Sequence, residues 1–247
     1  MLNINMTAED KTTLAVFINN AAAYFGNGFL KGNENYNFSD DKPIPEESAV
    51  TEETVITDSL EKIASEIQLC KACCLCEKRK NTVPGEGVKN PLVMVIGEAP
   101  GADEDASGRP FVGRAGRKLD EMLAAIDLSR EKNCFIANTI KCRPPGNRDP
   151  LPEETSACNA FLERQVKLLD PAFILCAGGT SAKTILGVSD SLKKLRGNVH
   201  EYKSIPVFVT YHPSAILQYD EYRRPAWEDL KMLRSALKDY FSEYETK

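Results

Sequence analysis

A chain of 247 residues and 27.3 kDa is long enough to bury a genuine core, and with 42% hydrophobic and 27% charged residues it is not disordered as a whole. No uninterrupted apolar run reaches the length of a helical bilayer span, so no membrane segment is expected. The net charge of −5 argues against a nucleic-acid partner only as an average: residues 1–60 hold three lysines and ten acids, a balance of −7, which leaves +2 for residues 61–247. A mildly basic remainder permits a polyanionic partner. The first residues, MLNINMTAED, have no basic segment leading into an apolar one, so the expected compartment is reducing cytoplasm, where eight cysteines call for an explanation other than disulfides.

In chain order, residues 11–31 place Leu14, Phe17, Ala21, Tyr24 and Phe25 at the spacing of a short amphipathic helix. Residues 32–58 are polar and acidic, with two prolines and no sustained periodicity, as a linker is. Residues 1–58 therefore read as an acidic extension and linker, and 59–247 as one domain. Within that domain PLVMVIGE (Pro91 to Glu98), CFIANTI (Cys134 to Ile140), AFILCAG (Ala172 to Gly178) and VFVTY (Val207 to Tyr211) are near-continuously apolar, as strands covered on both faces are. Between them Leu119, Met122, Leu123 and Ile126, and then Leu162, Val166 and Leu169, form helix stripes, and a last helix is expected around Trp227 to Phe241. The order βαβαβ with a later strand predicts a mostly parallel sheet covered on both sides. Ligands of such sheets bind in the loops after the strands' carboxyl ends. That places GEAPGADEDASGRPFVG, the Asn138 to Arg148 segment and HPSAIL on one edge.

The cysteines carry the first chemistry. Cys70, Cys73, Cys74 and Cys76 crowd into LCKACCLCEKR, with Cys142 and Cys158 in later polar segments, whereas Cys134 and Cys176 lie inside strands as core residues. A C-x2-C pair joined by two further thiols suggests a four-thiolate site for zinc or an iron-sulfur cluster. Spacing alone chooses neither the metal nor between Cys70/Cys73 and Cys73/Cys76. The loop Gly97 to Gly101 has the glycines for a tight turn and is followed by Asp103, Glu104 and Asp105, but by no Gly-Lys-Ser/Thr, so it is not a Walker loop. Phe111, in a Gly-rich stretch, is either a stacking platform or a hydrophobic plug. His212 ends the fourth strand before Pro213, well placed for chemistry or for structure; His200 falls in an expected surface hairpin and is assigned nothing.

GEAPGADEDASGRPFVGRAG, IANTIKCRPPGNRDPLPEE and YHPSAIL together resemble the three signature segments of the family 4 uracil-DNA glycosylases, the iron-sulfur branch of that superfamily. The resemblance spans about residues 66–240. It implies a three-layer α/β/α sandwich with a four-stranded, mainly parallel sheet, and release of uracil from DNA to leave an abasic site. It implies a [4Fe-4S] cluster on Cys70, Cys73, Cys142 and Cys158, with Cys74 and Cys76 as extra thiols. In the implied pocket Phe111 stacks on a flipped-out uracil, and Asn138 donates to O4 and accepts from N3–H, a pairing cytosine cannot complete. Gly97, Glu98 and Ala99 line the base, Glu98 and the adjoining backbone forming a wall against thymine's methyl group. His212 is expected to stabilise the departing uracil anion at O2, helped by backbone N–H groups of the GEAPG loop. Glu98 or Glu104 orients the attacking water. Ser214, Leu217, Arg223 and Arg224 either meet the DNA or belong to a solvated loop. The partner implied is uracil-containing DNA, single- or double-stranded, bound by a monomer with no membrane. The acidic extension either weakens nonspecific DNA binding, docks a repair or replication partner, or is simply tolerated.

Overall fold

The structure is a computed structural model that describes residues 58–240; the helix expected within 11–31, nearly all of the linker and the end of the last expected helix lie outside the described residues. In chain order its elements are α1 (Leu60–Leu69), β1 (Glu86–Gly87), β2 (Val93–Gly97), α2 (Ala102–Ser107), α3 (Arg114–Ala124), β3 (Cys134–Asn138), α4 (Pro152–Leu169), β4 (Phe173–Ala177), α5 (Gly179–Leu186), α6 (Leu192–Leu195), β5 (His200–Tyr202), β6 (Ile205–Thr210), α7 (Pro213–Gln218) and α8 (Arg223–Tyr240).

The four apolar runs form the sheet centre, in the order β3-β2-β4-β6, all parallel. Alternation along each strand feeds two cores. Val93, Val95, Ile136, Leu175 and Phe208 face the helices α3, α7 and α8, through Leu119, Leu123, Ile216, Leu230 and Leu233. Met94, Ile96, Ala137, Ile174 and Val209 face α4, α5 and α6, through Leu162, Val166, Ala182 and Leu195. Three layers result, because both faces of every central strand must be covered. Cys134 and Cys176 are fully buried, one in each core.

The strand count differs from the expected four. β1 and β5 add antiparallel edges next to β3 and β6, giving six strands among the described residues. Both are too short to leave an apolar run. β5 and β6 form a two-residue hairpin whose turn residues, Lys203 and Ser204, have φ of 50° and 66°, the left-handed geometry that matches strand twist. At the expected 58/59 boundary both Asp58 carboxylate oxygens accept from Arg164 of α4, and Ser59 caps α1 by accepting from Lys62 N–H.

Candidate active site

The register puts Gly97 directly beside Asn138 at the carboxyl ends of β2 and β3. Above this edge opens a cleft of ≈ 420 Å³, whose lining includes Glu98, Ala99, Glu104, Phe111, Asn138 and His212. That volume falls in the range of about 300–1,000 Å³ usual for small-molecule sites. Asn138 is 1% exposed, and its side-chain carbonyl oxygen has no hydrogen-bond partner. An orphaned buried acceptor is rare enough to require a reason; a ligand N–H would satisfy it. A Cβ on Gly97 would stand 2.4 Å from both Asn138 Oδ1 and Phe111 Cζ, so only glycine leaves the space these two groups occupy.

Phe111 is held in place by residues the sequence did not mark. Its φ of 52° is left-handed, a conformation that costs a non-glycine residue on the order of 1–3 kcal/mol. The Arg130 guanidinium, 7% exposed, donates to Pro110 O at 2.9 Å and Phe111 O at 3.0 Å, and pairs with Asp120 at 2.8 Å. Gly116 allows the approach, since a Cβ there would lie 1.9 Å from Phe111 O. The ring thus belongs to the core while its edge reaches Gly97 and its centroid lies 5.7 Å from that of His212. Arg130→Ala removes both carbonyl partners. It should cost about 1–3 kcal/mol by thermal denaturation and lower activity through a displaced Phe111.

Glu104 lines the cleft and is held by backbone donors. Its Oε2 accepts from Gly101 N–H at 3.0 Å and its Oε1 from Val112 and Gly113 N–H at 2.8 and 2.9 Å. Three backbone donors make it a clamp between the GEAPG loop and the Phe111 loop. Glu98 is half-buried, and burial raises its carboxyl above the usual range; the Thr180 hydroxyl opposes this, and the carboxylate of Asp149, another cleft residue, adds to it. Asp149 was invisible as a candidate because nothing in GNRDP distinguishes it from a turn residue.

His212 caps α7. Its Nδ1 accepts Ser214 N–H at 3.2 Å and lies 2.7 Å from Ser214 Oγ. A ring nitrogen that accepts a backbone N–H carries no proton, so the neutral tautomer has its hydrogen on Nε2. Burial agrees, pushing His212 down to about 4 against the attraction of Glu104. Ser214 therefore lines the cleft as an orienting partner of His212. Leu217, on the same short helix, is 46% exposed. Arg223 and Arg224 are exposed and line no part of the cleft; Arg223 pairs with Asp220 at 2.9 Å and borders a separate groove with Trp227.

Behind the cleft, Cys70, Cys73, Cys142 and Cys158 surround a second, far smaller space of ≈ 10 Å³, to which Cys76 also contributes. They come from four places: the C-terminus of α1, the start of a 3-10 turn (Cys74–Glu77), the segment after β3, and α4. Ala99 of the cleft packs on the same apolar cluster as Cys73 and Cys158, so the two sites share a wall. Among the described residues no three His, Cys, Asp or Glu side chains converge on a point as one metal ion would require. Sulfurs set around a volume fit a multi-iron cluster, which binds each thiolate at a different iron. The donor set fits too: Arg79 donates to Cys142 Sγ at 3.0 Å, a cation that favours a thiolate there and opposes the burial that pushes the thiol up to about 11.

Other unmarked residues tie the two sites together. Lys141, 1% exposed, donates to Asn138 O at 2.9 Å and to Gln165 Oε1 at 2.7 Å, holding the end of β3; burial lowers it to about 8. Glu154 is buried and receives a bidentate pair from Arg148 at 2.6 and 2.8 Å, together with the Cys74 thiol at 3.5 Å. The Arg148 guanidinium holds Glu154 down to about 2. This carboxylate stabilises the fold in full above the ordinary carboxyl range, and the contribution is lost as pH falls through about 2.

Fold and site define an α/β protein with a mainly parallel sheet, a cleft of small-molecule size at its carboxyl edge and a thiolate cage behind it. A profile of the Uracil DNA glycosylase superfamily matches residues 84–231. Type-4 uracil-DNA glycosylases are similar over most of the chain: that of Sulfurisphaera tokodaii is 43% identical over 72% of this chain and 84% of its own length. Those of Archaeoglobus fulgidus and Thermotoga maritima are 41% and 40% identical, covering 71% and 72% of this chain and 92% and 95% of theirs. The chain belongs to the uracil-DNA glycosylase superfamily and, within it, to family 4.

Proposed function

We propose that the carboxyl-edge cleft is where this chain, a uracil-DNA glycosylase, hydrolyses the N-glycosidic bond of a flipped-out deoxyuridine. Free uracil and an abasic site are the products, and excision repair follows. The observation that carries the site assignment is the unpartnered Asn138 oxygen beside Phe111 and His212. Asn138 accepts N3–H and donates to O4; cytosine offers neither in the right sense. Phe111 covers the base, and Gly97 leaves room for both. As the bond breaks, negative charge grows on uracil, and His212, neutral with its hydrogen on Nε2, donates to O2. Positive charge grows on the sugar and faces Glu98 and Asp149, which also hold the attacking water; Glu104 and Ser214 act as positioning residues. Leu217 is exposed on the helix that His212 caps and fits the role of a wedge filling the vacated stack. Cys70, Cys73, Cys142 and Cys158 would hold a [4Fe-4S] cluster, which supplies a structural tie and no chemistry to glycosidic cleavage.

Base release from single- and double-stranded uracil-containing oligonucleotides tests the activity, and absence of abasic sites in both would overturn it. Asp149→Asn tests the carboxylate pair. Removing the neighbouring charge lowers the pKa of Glu98, so the acidic limb of the pH–rate profile should move to lower pH; an unmoved limb removes Asp149 from the site. We assign residues 1–57 no part in the reaction, so a chain beginning at Asp58 should release uracil at the full-length rate.

A further inference from the structure

Six of the eight cysteines lie near the thiolate cage, and a [4Fe-4S] cluster takes four. The structure separates the two extra thiols. Leu75, 2% exposed, anchors the 3-10 turn against Ile140 and Cys142. On one side of it Cys74 turns to Glu154, already gripped by Arg148. On the other, Cys76 lines the same space as Cys70, Cys73, Cys142 and Cys158. Five sulfur-bearing side chains therefore face one cavity.

The fifth is placed to replace one in particular. Cys73 and Cys76 repeat the C-x2-C spacing of Cys70 and Cys73, and Cys76 N–H donates to Cys73 O at 3.3 Å, closing the turn that carries both. Cys70 caps the C-terminus of α1, its sulfur accepting only Ala72 N–H at 3.5 Å, whereas Cys142 is buried under Arg79 and Cys158 is fixed on α4. Cys70 is the ligand whose loss the surroundings tolerate best.

We propose that Cys76 is a reserve ligand of the cage, able to take the place of Cys70 at its iron. This rests on the iron-sulfur assignment above. In the exchange an iron–Sγ bond to Cys76 replaces the one to Cys70, the Cys76 thiol proton passes through solvent to the released Cys70 thiolate, and the cluster keeps its electrons. Cys73, Cys76, Cys142 and Cys158 then form a complete set, so the two registers that the spacing allows are alternative states of one site.

The test is iron and acid-labile sulfide per chain in full-length protein purified anaerobically, with alkylation mapping of the unligated cysteines. Wild type and Cys76→Ala should hold the full complement. Cys70→Ala should retain wild-type iron, with a shifted visible spectrum and with Cys76 newly protected from alkylation. Cys70→Ala/Cys76→Ala should lose it, while Cys70→Ala/Cys74→Ala should not. The near-isosteric Cys70→Ser serves for the same mapping if the alanine chain fails to fold. Iron lost from the Cys70 single variants as completely as from the double variant, or Cys76 still alkylated in an iron-loaded Cys70 variant, would overturn the proposal. Wild type without iron overturns the cofactor assignment itself, a result distinct from the other two.

Discussion

Asn138→Ala should lower uracil release by about 10²–10³-fold, the usual cost of losing a preorganised donor at developing charge, without lowering the melting temperature. The two halves of this expectation have one cause. The amide oxygen is buried and unpartnered in the free protein, a penalty of about 1–3 kcal/mol that the folded state carries until a base arrives. Alanine removes the penalty together with the recognition, so stability offsets the cavity it leaves while activity falls. A residue that merely supported the fold would show both losses together. Discrimination should fail in parallel, because rejection of cytosine depends on leaving these buried polar groups unpaired. Gly97→Ala should produce the same loss of turnover by another route, since its Cβ would occupy the space of the amide and the Phe111 ring edge. The measurement is single-turnover release from uracil- and cytosine-containing strands beside a thermal melt.

His212→Ala should cost a similar factor, about 10²–10³ in kcat, through loss of the donor to O2. It also removes the cap of α7, because Ser214 N–H loses its acceptor. His212→Asn separates the two effects: asparagine is a strong N-cap, so it should recover stability without recovering turnover. The pH dependence has a definite sign. With His212 at about 4 in the folded protein and near 6.5 unfolded, the unfolded chain takes up the proton first on acidification. The group's contribution to stability is therefore full above about pH 6.5 and declines down to about pH 4. Turnover should show no break from His212 between pH 8 and 5. A rate that rises as an imidazolium forms near pH 6 would contradict the neutral-donor role.

The four central strands were legible because strands covered on both faces leave continuous apolar runs, and the helix stripes because one face of each helix enters a core. The loops following those strands were legible as an edge for the same reason. β1 and β5 were not, since edge pairs of two and three residues leave no periodic signal. The cage residues Cys70, Cys73, Cys142 and Cys158 were visible as a group of thiols. The register of the pair came from resemblance to a family, and the separation of Cys74 from Cys76 came from where Glu154 and Leu75 sit. Glu104 shows the opposite limit: an acid in a glycine-rich loop invites a catalytic reading, and the three backbone donors that bind it between two loops leave no local signal in the sequence.

The sequence by itself determined the layered parallel sheet, the edge on which the candidate site lies and the residue types gathered there, because burial patterns and motif composition are local properties of the chain. Tertiary structure alone decided which groups are free to act. Arg130 and Gly116 hold Phe111 in a left-handed turn, Lys141 grips the end of β3, Asp149 comes to stand beside Glu98, and the Asn138 oxygen is left without a partner. Each of these depends on contacts between segments far apart in the chain, where hydrogen-bond capacity is used up or spared by neighbours that no local pattern names.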